Sequence, residues 1–407
     1  SGAKLTLRGN VLGFYTFPNN QLTYAPLGAE GDNQILFDMI SEALRSFDDN
    51  HDFSQYDNNG DGFIDGLNIL YSGQRGGWSS FWWAYQWRFY VSDALTTFFD
   101  GKRLGTFTWQ SLDPRADGTD FDPQTLIHET GHLLGLPDLY DYKKNSGLEG
   151  GVGGYDVMDG NVGNPNAFLR WMLDWIEPEI VSGGASESRV LRASGDTSNA
   201  DDKAVVIFPD IGQSPFQEFF LIENRFRIGN DGGDSNLPSN GLAIWHVDAT
   251  LDSSGGDFAF SNTDRGGATA HKLVKLVQAD GQEDIEQFGG GRVDAGDLYR
   301  SGGFLTPSSN PSSAGYDGKA TGIRVENISN DGVVMTADIG FGGAVARANL
   351  TAGEASSQSL SSASVMAGDE VTVRGEIANT GSANATTFTV ECFLSREIDK
   401  FSPDISL

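Results

Sequence analysis

The sequence predicts an α+β domain followed by β-rich, sandwich-like domains. Apolar residues recur at helical spacing between Ile35 and Phe47, which is typical of an amphipathic helix. From about Ile180 to Gly343 the chain consists of short β-like runs between loops rich in Gly, Asp, Ser and Asn. A chain of 407 residues also exceeds what one hydrophobic core usually serves, so we expect several domains.

Changes in composition and in hydrophobic pattern along the chain suggest three domains. Residues 1–178 contain the helical signals, and residues 179–343 form a β-rich accessory domain. Residues 344–407 begin an Ig-like β-sandwich that has too few strands to close, so we expect this last domain to be incomplete. The strand-like runs are Leu67–Tyr71, Ala204–Phe208, Phe219–Glu223, Leu242–Val247, Lys272–Val277, Glu370–Ile377 and Thr386–Leu394.

Charge and cysteine content narrow the class of protein. With 27 basic and 56 acidic side chains the formal net charge is −29, which disfavours binding to nucleic acid. No apolar run approaches the length of a membrane-spanning helix, so membrane insertion is not expected. Cys392 is the only cysteine, which rules out an intrachain disulfide. The chain starts at Ser1 without a signal-type segment, and we interpret it as a mature fragment whose targeting segment has been removed.

The segment from 122 to 138 carries the strongest functional signal. Asp122 can cap a helix and Pro123 suits its first turn, so His128 and His132 fall on one helical face and can bind one metal ion. Glu129 lies beside the first of these two ligands, where it can hold a zinc-bound water without binding zinc itself.

The residues that follow this helix supply the rest of the motif. Gly135 ends the helix and permits a left-handed turn, which places Asp138 as the third ligand. Together these residues give the H-E-x-x-H-x-x-G-x-x-D form of the metzincin signature. Met158 follows within Gly154–Gly160 (GYDVMDG), where a Met-turn is expected.

Residues 1 to about 340 resemble the immune inhibitor A family of bacterial metallopeptidases. The matching segments are HETGHLLGLPDLYDY, GGYDVMDG, FFLIENR (219–225), GLAIWHVD (241–248) and DAGDLY (294–299). The resemblance implies a metzincin-like catalytic domain in a secreted zinc endopeptidase that is stabilised by calcium and made as a larger precursor, or zymogen. Residues 344–407 resemble a CARDB-type adhesion module, which implies attachment to a cell surface or matrix.

The resemblance also assigns roles to residues. It implies that His128, His132 and Asp138 bind zinc and that Glu129 is the catalytic base. The enzyme would then hydrolyse peptide bonds of extracellular proteins by means of a zinc-bound water that Glu129 activates. Two departures from the family pattern stand out. Nothing corresponds to the first strand and helix of the family's catalytic domain, and Gly160 stands where many metzincins have a tyrosine.

A second metal site is predicted between the first helix and the strand Leu67–Tyr71. Oxygen ligands occupy the spacing of an EF-hand calcium loop, with Gly62 at the sharp turn. They are Asp57, Asn59, Asp61, the carbonyl of Phe63, and Asp65. Asn68 replaces the usual bidentate glutamate at the twelfth position. The alternative interpretation is a turn-forming Asp/Asn/Gly loop that binds no ion.

Two other functional readings stay open. The chain could be a non-catalytic surface- or polysaccharide-binding protein with a structural metal site, although Glu129 and Gly135 argue against it. It could also be an incomplete enzyme fragment.

Three minor features have structural interpretations. We expect the aromatic residues from Trp78 to Tyr90 to pack in the core or at a domain interface, and His246 and His271 to be core or surface histidines. Gly105–Gln110 is a candidate edge strand for an extended peptide. A third acidic group is interpreted as solvated loop carboxylates: Asp280, Asp294 and Asp297.

Overall fold

The chain divides into two compact units, one from Ala3 to Asp138 and one from Leu139 to Leu407. The functional division into domains at 178/179 and 343/344 stays a prediction. The structure, a computed structural model, describes residues 5–112, 123–142, 150–160, 163–198, 201, 203–209, 216–232, 237–263, 271–286, 294–342, 350–352, 359–360, 372–374, 376–379, 393–394 and 405–406.

The first unit is built on helix α2 and a three-stranded sheet. Helix α2 spans Asn33–Asp48, and the Asp32 carboxylate caps it by accepting the N–H groups of Gln34 and Ile35 at 2.9 and 3.1 Å. Its buried face includes Leu36, Phe37, Met39, Ile40 and Leu44. Two short helices, α1 (Gln21–Tyr24) and α3 (Ser92–Thr96), and a 3-10 turn at Phe53–Tyr56 complete the segment before residue 112.

The sheet of the first unit has the order β1-β3-β2. Strands β1 (Leu67–Tyr71) and β3 (Thr106–Ser111) are parallel, and β2 (Tyr85–Arg88) is antiparallel to β3. Helix α4 (Pro123–Leu133) packs against β3 and β2. The prediction of Gly105–Gln110 as an edge strand is therefore wrong, because this segment is central and hydrogen-bonds on both sides.

Aromatic side chains fill the core of the first unit. Trp82 and Trp109 are almost fully buried, and the ring of Tyr71 stacks on Trp109 at a centroid distance of 4.8 Å. Of the aromatic residues between 78 and 90, Phe81 and Phe89 are also buried. The expectation of core packing is confirmed for these residues. It is wrong for three others, which are half-exposed or more: Trp78 (55%), Trp87 (51%) and Tyr90 (74%).

Two antiparallel-rich sheets dominate the second unit. The larger has the order β4-β6-β7-β8-β9, and the smaller has the order β10-β11-β5. Side chains of both sheets, such as Phe220, Ile244, Val325 and Ile339, share one buried cluster, so the sheets pack as a sandwich. Their strands are β4 (Glu179–Val181), β5 (Glu187–Arg192), β6 (Ala204–Ile207), β7 (Glu218–Arg225), β8 (Gly241–Asp248), β9 (Val274–Leu276), β10 (Ile323–Glu326) and β11 (Val334–Phe341).

The second unit also contains helices α5 (Val157–Gly160) and α6 (Ala167–Met172), joined to the larger sheet by buried charges. Arg225 donates to the carbonyl of Tyr155 at 2.9 Å and to both carboxylate oxygens of Asp231 at 2.8 and 3.0 Å. The carboxylate of Glu223 accepts from Arg170 on α6 and from the Trp245 indole. The motifs GYDVMDG, IENR and GLAIWHVD therefore meet in one buried network.

The last described stretches are short strand pairs. Strand β12 (Leu350–Ala352) pairs with β15 (Ile377–Asn379), β13 (Ser359–Leu360) with β14 (Val373–Arg374), and β16 (Phe393–Leu394) with β17 (Ile405–Ser406). The architecture confirms an α+β segment followed by β-rich segments. Among the described helices, none is long and apolar enough to cross a membrane.

Candidate metal centre

Helix α4 presents two histidines on one face. It begins at Pro123, and the predicted cap Asp122 lies outside the described residues. His128 and His132 are one turn apart, and their rings meet at a centroid distance of 4.8 Å and an interplanar angle of 87°. His128 is buried, and His132 is partly buried. Both imidazoles are therefore largely shielded from solvent.

The chain reverses after this helix and brings a carboxylate back to the histidines. Gly135 has φ +90°, and the N–H of Leu136 donates to the carbonyl of Gly131 at 3.1 Å. Oδ1 of Asp138 then lies 3.1 Å from Nε2 of His128 and 3.3 Å from Nε2 of His132. Donor atoms of the three side chains all lie within 4.8 Å of one another. The three predicted zinc ligands are thus brought together.

A backbone carbonyl fixes the orientation of His132. Its Nδ1 lies 2.7 Å from the carbonyl oxygen of Leu136, which can only accept, so Nδ1 carries the proton and Nε2 faces Asp138. Burial lowers the pKa of His132, but the hydrogen bond to Asp138 and its negative charge outweigh burial, so the pKa stands above its usual value.

Glu129 lies beside the cluster without belonging to it. Its side chain is 6% exposed, and the backbone N–H of Gln86 on strand β2 lies near enough to lower the pKa of its carboxyl slightly. Burial raises the pKa of Glu129, partly offset by the neighbouring charges of His128 and His132. The contact with Gln86 has no local signal in the sequence, because it joins a strand and a helix that are distant along the chain.

The donor set fits a zinc ion. Two imidazole nitrogens and one carboxylate oxygen are typical ligands of a catalytic zinc site, which keeps its fourth position open. Ligands about 2.0–2.1 Å from an ion at tetrahedral angles are about 3.4 Å apart. The separations of 3.1 and 3.3 Å from Asp138 to His128 and His132 are close to this value.

The predicted calcium loop is closed by its own hydrogen bonds. The carboxylate of Asp57 accepts the N–H groups of Asp61 and Gly62 at 3.0 and 3.1 Å, and the Lys102 ammonium lies 2.6 Å from the same carboxylate. The hydrogen bond from Lys102 is the main reason that the pKa of Asp57 is lowered.

The other predicted ligand side chains of this loop also accept hydrogen bonds from its own backbone. Asn59 Oδ1 accepts the N–H of Asp61, Asp61 Oδ1 that of Phe63, and Asp65 Oδ2 that of Asn58. Among the described residues, one group of three carboxylates lies within ligand distance, Asp280, Asp294 and Asp297, and it is not in this loop. The structure therefore shows a tight turn, and calcium binding by it stays a prediction.

The segment around Met158 is buried and leaves no room for a tyrosine at position 160. Met158 is fully buried, and its carbonyl accepts the N–H of Leu139 at 2.9 Å. A Cβ added at Gly160 would lie 2.9 Å from Cα of Gly154, so a larger residue does not fit. Tyr155 is also fully buried, with the Arg225 guanidinium 5.9 Å from its ring centroid, which indicates a structural role.

The two histidines predicted to be structural share one aromatic stack. The ring of Tyr316 lies between His246 and His271 at centroid distances of 4.1 and 4.0 Å. Nε2 of His246 lies 2.6 Å from Glu218, and Nε2 of His271 lies 2.6 Å from Asp248. Both rings are thus held by packing and by a carboxylate, as expected of structural histidines.

Comparison of the chain with protein-family models, with curated proteins and with solved structures found no match. The inference about function therefore rests on the residues of the site and their geometry.

Proposed function

We propose that this chain is a secreted zinc-dependent endopeptidase with a metzincin-like catalytic domain, a member of the immune inhibitor A family that its motifs resemble. The observation that carries the proposal is the convergence of His128, His132 and Asp138 beside the buried carboxylate of Glu129. A purely structural zinc site would use a fourth protein ligand. Among the described residues only these three offer clustered donor atoms at this place.

Each of these side chains has a defined task. His128, His132 and Asp138 would hold the ion, with the carbonyl of Leu136 keeping His132 in the right tautomer. When bound, zinc supplies Lewis acidity that makes water a nucleophile near neutral pH. Glu129 takes the proton of the attacking water and then gives it to the nitrogen of the leaving amine. No side chain becomes covalently attached to the substrate.

Strand β2 is the proposed binding place for an extended peptide substrate. It pairs with β3 on one side only, so it is an edge of the described sheet. An extended peptide can add to such an edge through main-chain hydrogen bonds. The backbone N–H of Gln86 on this strand lies near the carboxylate of Glu129. A peptide aligned along β2 would therefore run past the proposed base.

The test is cleavage of casein, an unstructured protein, by the wild-type chain and by Glu129→Gln, with bound zinc measured in both. We expect equal zinc contents and loss of cleavage in the variant by about 10²-fold or more. Glu177→Gln, at an exposed glutamate, is the matched control and should cleave like wild type.

Two results would contradict the proposal. Full cleavage by zinc-loaded Glu129→Gln would exclude the assigned base. Absence of cleavage by a zinc-loaded wild-type chain would favour a binding protein or an incomplete enzyme.

A further inference from the structure

Two guanidinium groups lie against one phenylalanine ring at the end of strand β2. The Cζ atoms of Arg88 and Arg103 are 5.4 and 5.8 Å from the ring centroid of Phe63. Arg103 also lies 5.0 Å from the ring centroid of Phe98, which is 50% exposed. Arg88, the last residue of β2, is exposed, and Arg103 is partly exposed. Aromatic rings therefore hold two like charges side by side at the surface.

No carboxylate balances these two charges among the residues that the structure describes. Arg103 donates from Nε to the carbonyl of Leu95 at 3.1 Å, and neither guanidinium forms an ion pair with a described Asp or Glu. The two acids closest to Phe63 along the chain, Asp61 and Asp65, accept backbone N–H groups of their own loop. In a chain with 56 acidic and 27 basic side chains, two uncompensated arginines point to an anionic partner.

The same strand carries an exposed aromatic surface. Trp87 is 51% exposed and Tyr90 is 74% exposed, and their ring centroids lie 6.2 Å apart. Trp87 and Arg88 are consecutive in β2, so their side chains leave the strand on opposite faces. A peptide strand beside β2 would therefore meet an aromatic surface on one face and a positive charge on the other. Trp, Tyr and Arg are also the residues most enriched at binding hot spots.

The position of Arg88 along β2 determines which part of a peptide it would meet. Nδ2 of Asn33 donates to the carbonyl of Arg88 at 3.0 Å, so backbone pairing by a peptide would end here. Arg88 stands two residues from Gln86, whose backbone N–H lies near the carboxylate of Glu129. At about 3.3 Å per residue, this separation is about 7 Å along the strand. Arg88 is therefore placed to contact the flank of a bound peptide rather than the bond that is cleaved.

We propose that Arg88 and Arg103 bind a carboxylate of the peptide substrate, so that the enzyme selects extended segments with an Asp or Glu beside the end of β2. The planar guanidinium donates two parallel N–H groups to a carboxylate, which gives both strength and specificity. Packing on Phe63 and Phe98 orders the arginines in advance, which lowers the entropy lost on binding. The peptide residue next to the acid would be apolar and lie on Trp87. This inference rests on the proposed peptidase function and adds a substrate class to it.

The experiment measures binding of a peptide separately from its cleavage. The probes are two short fluorophore-labelled peptides of alternating Ala and Thr, one with a central Glu and one with a central Gln. Because the flanking residues repeat, the central residue can settle in whichever register suits it. On zinc-loaded Glu129→Gln, fluorescence anisotropy should show the Glu peptide bound about tenfold more tightly than the Gln peptide. High salt should weaken this preference, because the arginines are accessible to solvent.

Variants at the two arginines test the assignment. Methionine preserves much of the apolar contact with the rings and removes the charge. The double variant Arg88→Met and Arg103→Met, made in Glu129→Gln, should bind the two peptides within about twofold of each other. Arg75→Met is the matched control, since Arg75 is also exposed and lies 5.3 Å from the ring centroid of Trp83, and it should keep the preference. If the double variant does not fold, Arg88→Met alone, at an exposed position, should still reduce the preference.

The outcomes separate this inference from the proposed function. Equal binding of the two peptides, binding of neither, or an unchanged preference in the folded double variant would overturn the inference. Displacement of the Glu peptide by inorganic phosphate at equal concentration would indicate a general anion site and would overturn it as well. In active wild type the same preference should appear in kcat/KM. A zinc-loaded wild-type chain that prefers the Glu peptide but cleaves neither peptide would support the inference and contradict the proposed function.

Discussion

Nδ1 of His132 lies 2.7 Å from the carbonyl oxygen of Leu136, four residues further along the chain. This contact depends on the turn at Gly135, where φ is +90° and an added Cβ would meet no neighbouring atom. The orientation of one ligand and the return of another, Asp138, therefore depend on the same backbone conformation.

The turn can be tested by Gly135→Ala. We expect the free energy of unfolding to fall by about 1–2 kcal/mol, because alanine disfavours the left-handed region. Relaxation of the turn should also weaken zinc binding by about tenfold or more, since it disturbs a hydrogen bond that orients a ligand. Gly101→Ala, at φ +82° with equally open surroundings, is the control. It should lose stability and keep its zinc affinity, as measured by chelator competition, and equal zinc loss in both variants would contradict this account.

The buried charges that join α6 to β7 give a second prediction. Glu223→Gln removes one partner of Arg170 and Arg225, all of them buried. We expect a loss of about 3–5 kcal/mol, because buried charges are left without compensation. Lys319→Ala, which breaks an exposed pair with Asp317, should change the free energy of unfolding very little, because solvent screens such a pair. Urea unfolding measures both, and similar costs for the two variants would contradict the assigned network.

The calcium loop gives a third prediction through Lys102. Its ammonium lies 2.6 Å from Asp57 and competes with any cation for that carboxylate. Lys102→Met should therefore strengthen calcium binding, and chelator should lower the Tm of the variant more than that of wild type. The calcium interpretation of the loop fails if the Tm of Lys102→Met is insensitive to both chelator and calcium.

A fourth prediction concerns pH. Burial lowers the pKa of His246, and the hydrogen bond to Glu218 only partly offsets this effect. The unfolded chain therefore binds a proton near pH 6.5 that the folded chain does not, so stability falls as pH decreases through this range towards the folded pKa. Lys275 lowers this pKa as well, and Asp248 raises it.

His246→Gln should flatten this dependence. The slope of unfolding free energy against pH should decrease by up to about 1.4 kcal/mol per pH unit below pH 6.5. Urea unfolding between pH 5 and 8 measures the slope. An unchanged slope in a folded variant would show that other groups control the pH dependence.

Local features of the fold could be predicted from sequence. The helix expected at Ile35–Phe47 spans Asn33–Asp48, and the strand expected at Leu67–Tyr71 has those bounds. Hydrophobic periodicity and capping are properties of consecutive residues, so they are readable without an alignment. The same holds for the candidate metal centre, whose three predicted ligands come from a single helix and the turn after it.

Features that join distant segments could not be predicted. Strand order is one, since β3 was expected at an edge and lies between β1 and β2. The acid group that includes Asp280 and Asp294 is another, because its members approach only when two loops fold together. Spacing along the chain carries no information about such contacts.

All three clustered donors lie within the short segment His128–Asp138. This placement bears on the order in which the chain can fold and bind an ion. Capture of an ion by the proposed ligands would close only a short loop, so it would cost little chain entropy compared with pairing distant strands. The first compact unit also ends at Asp138. During synthesis, the proposed ligands therefore emerge before any residue of the sandwich, and under the proposed function metal loading would not have to wait for the slower pairing of the β-rich unit.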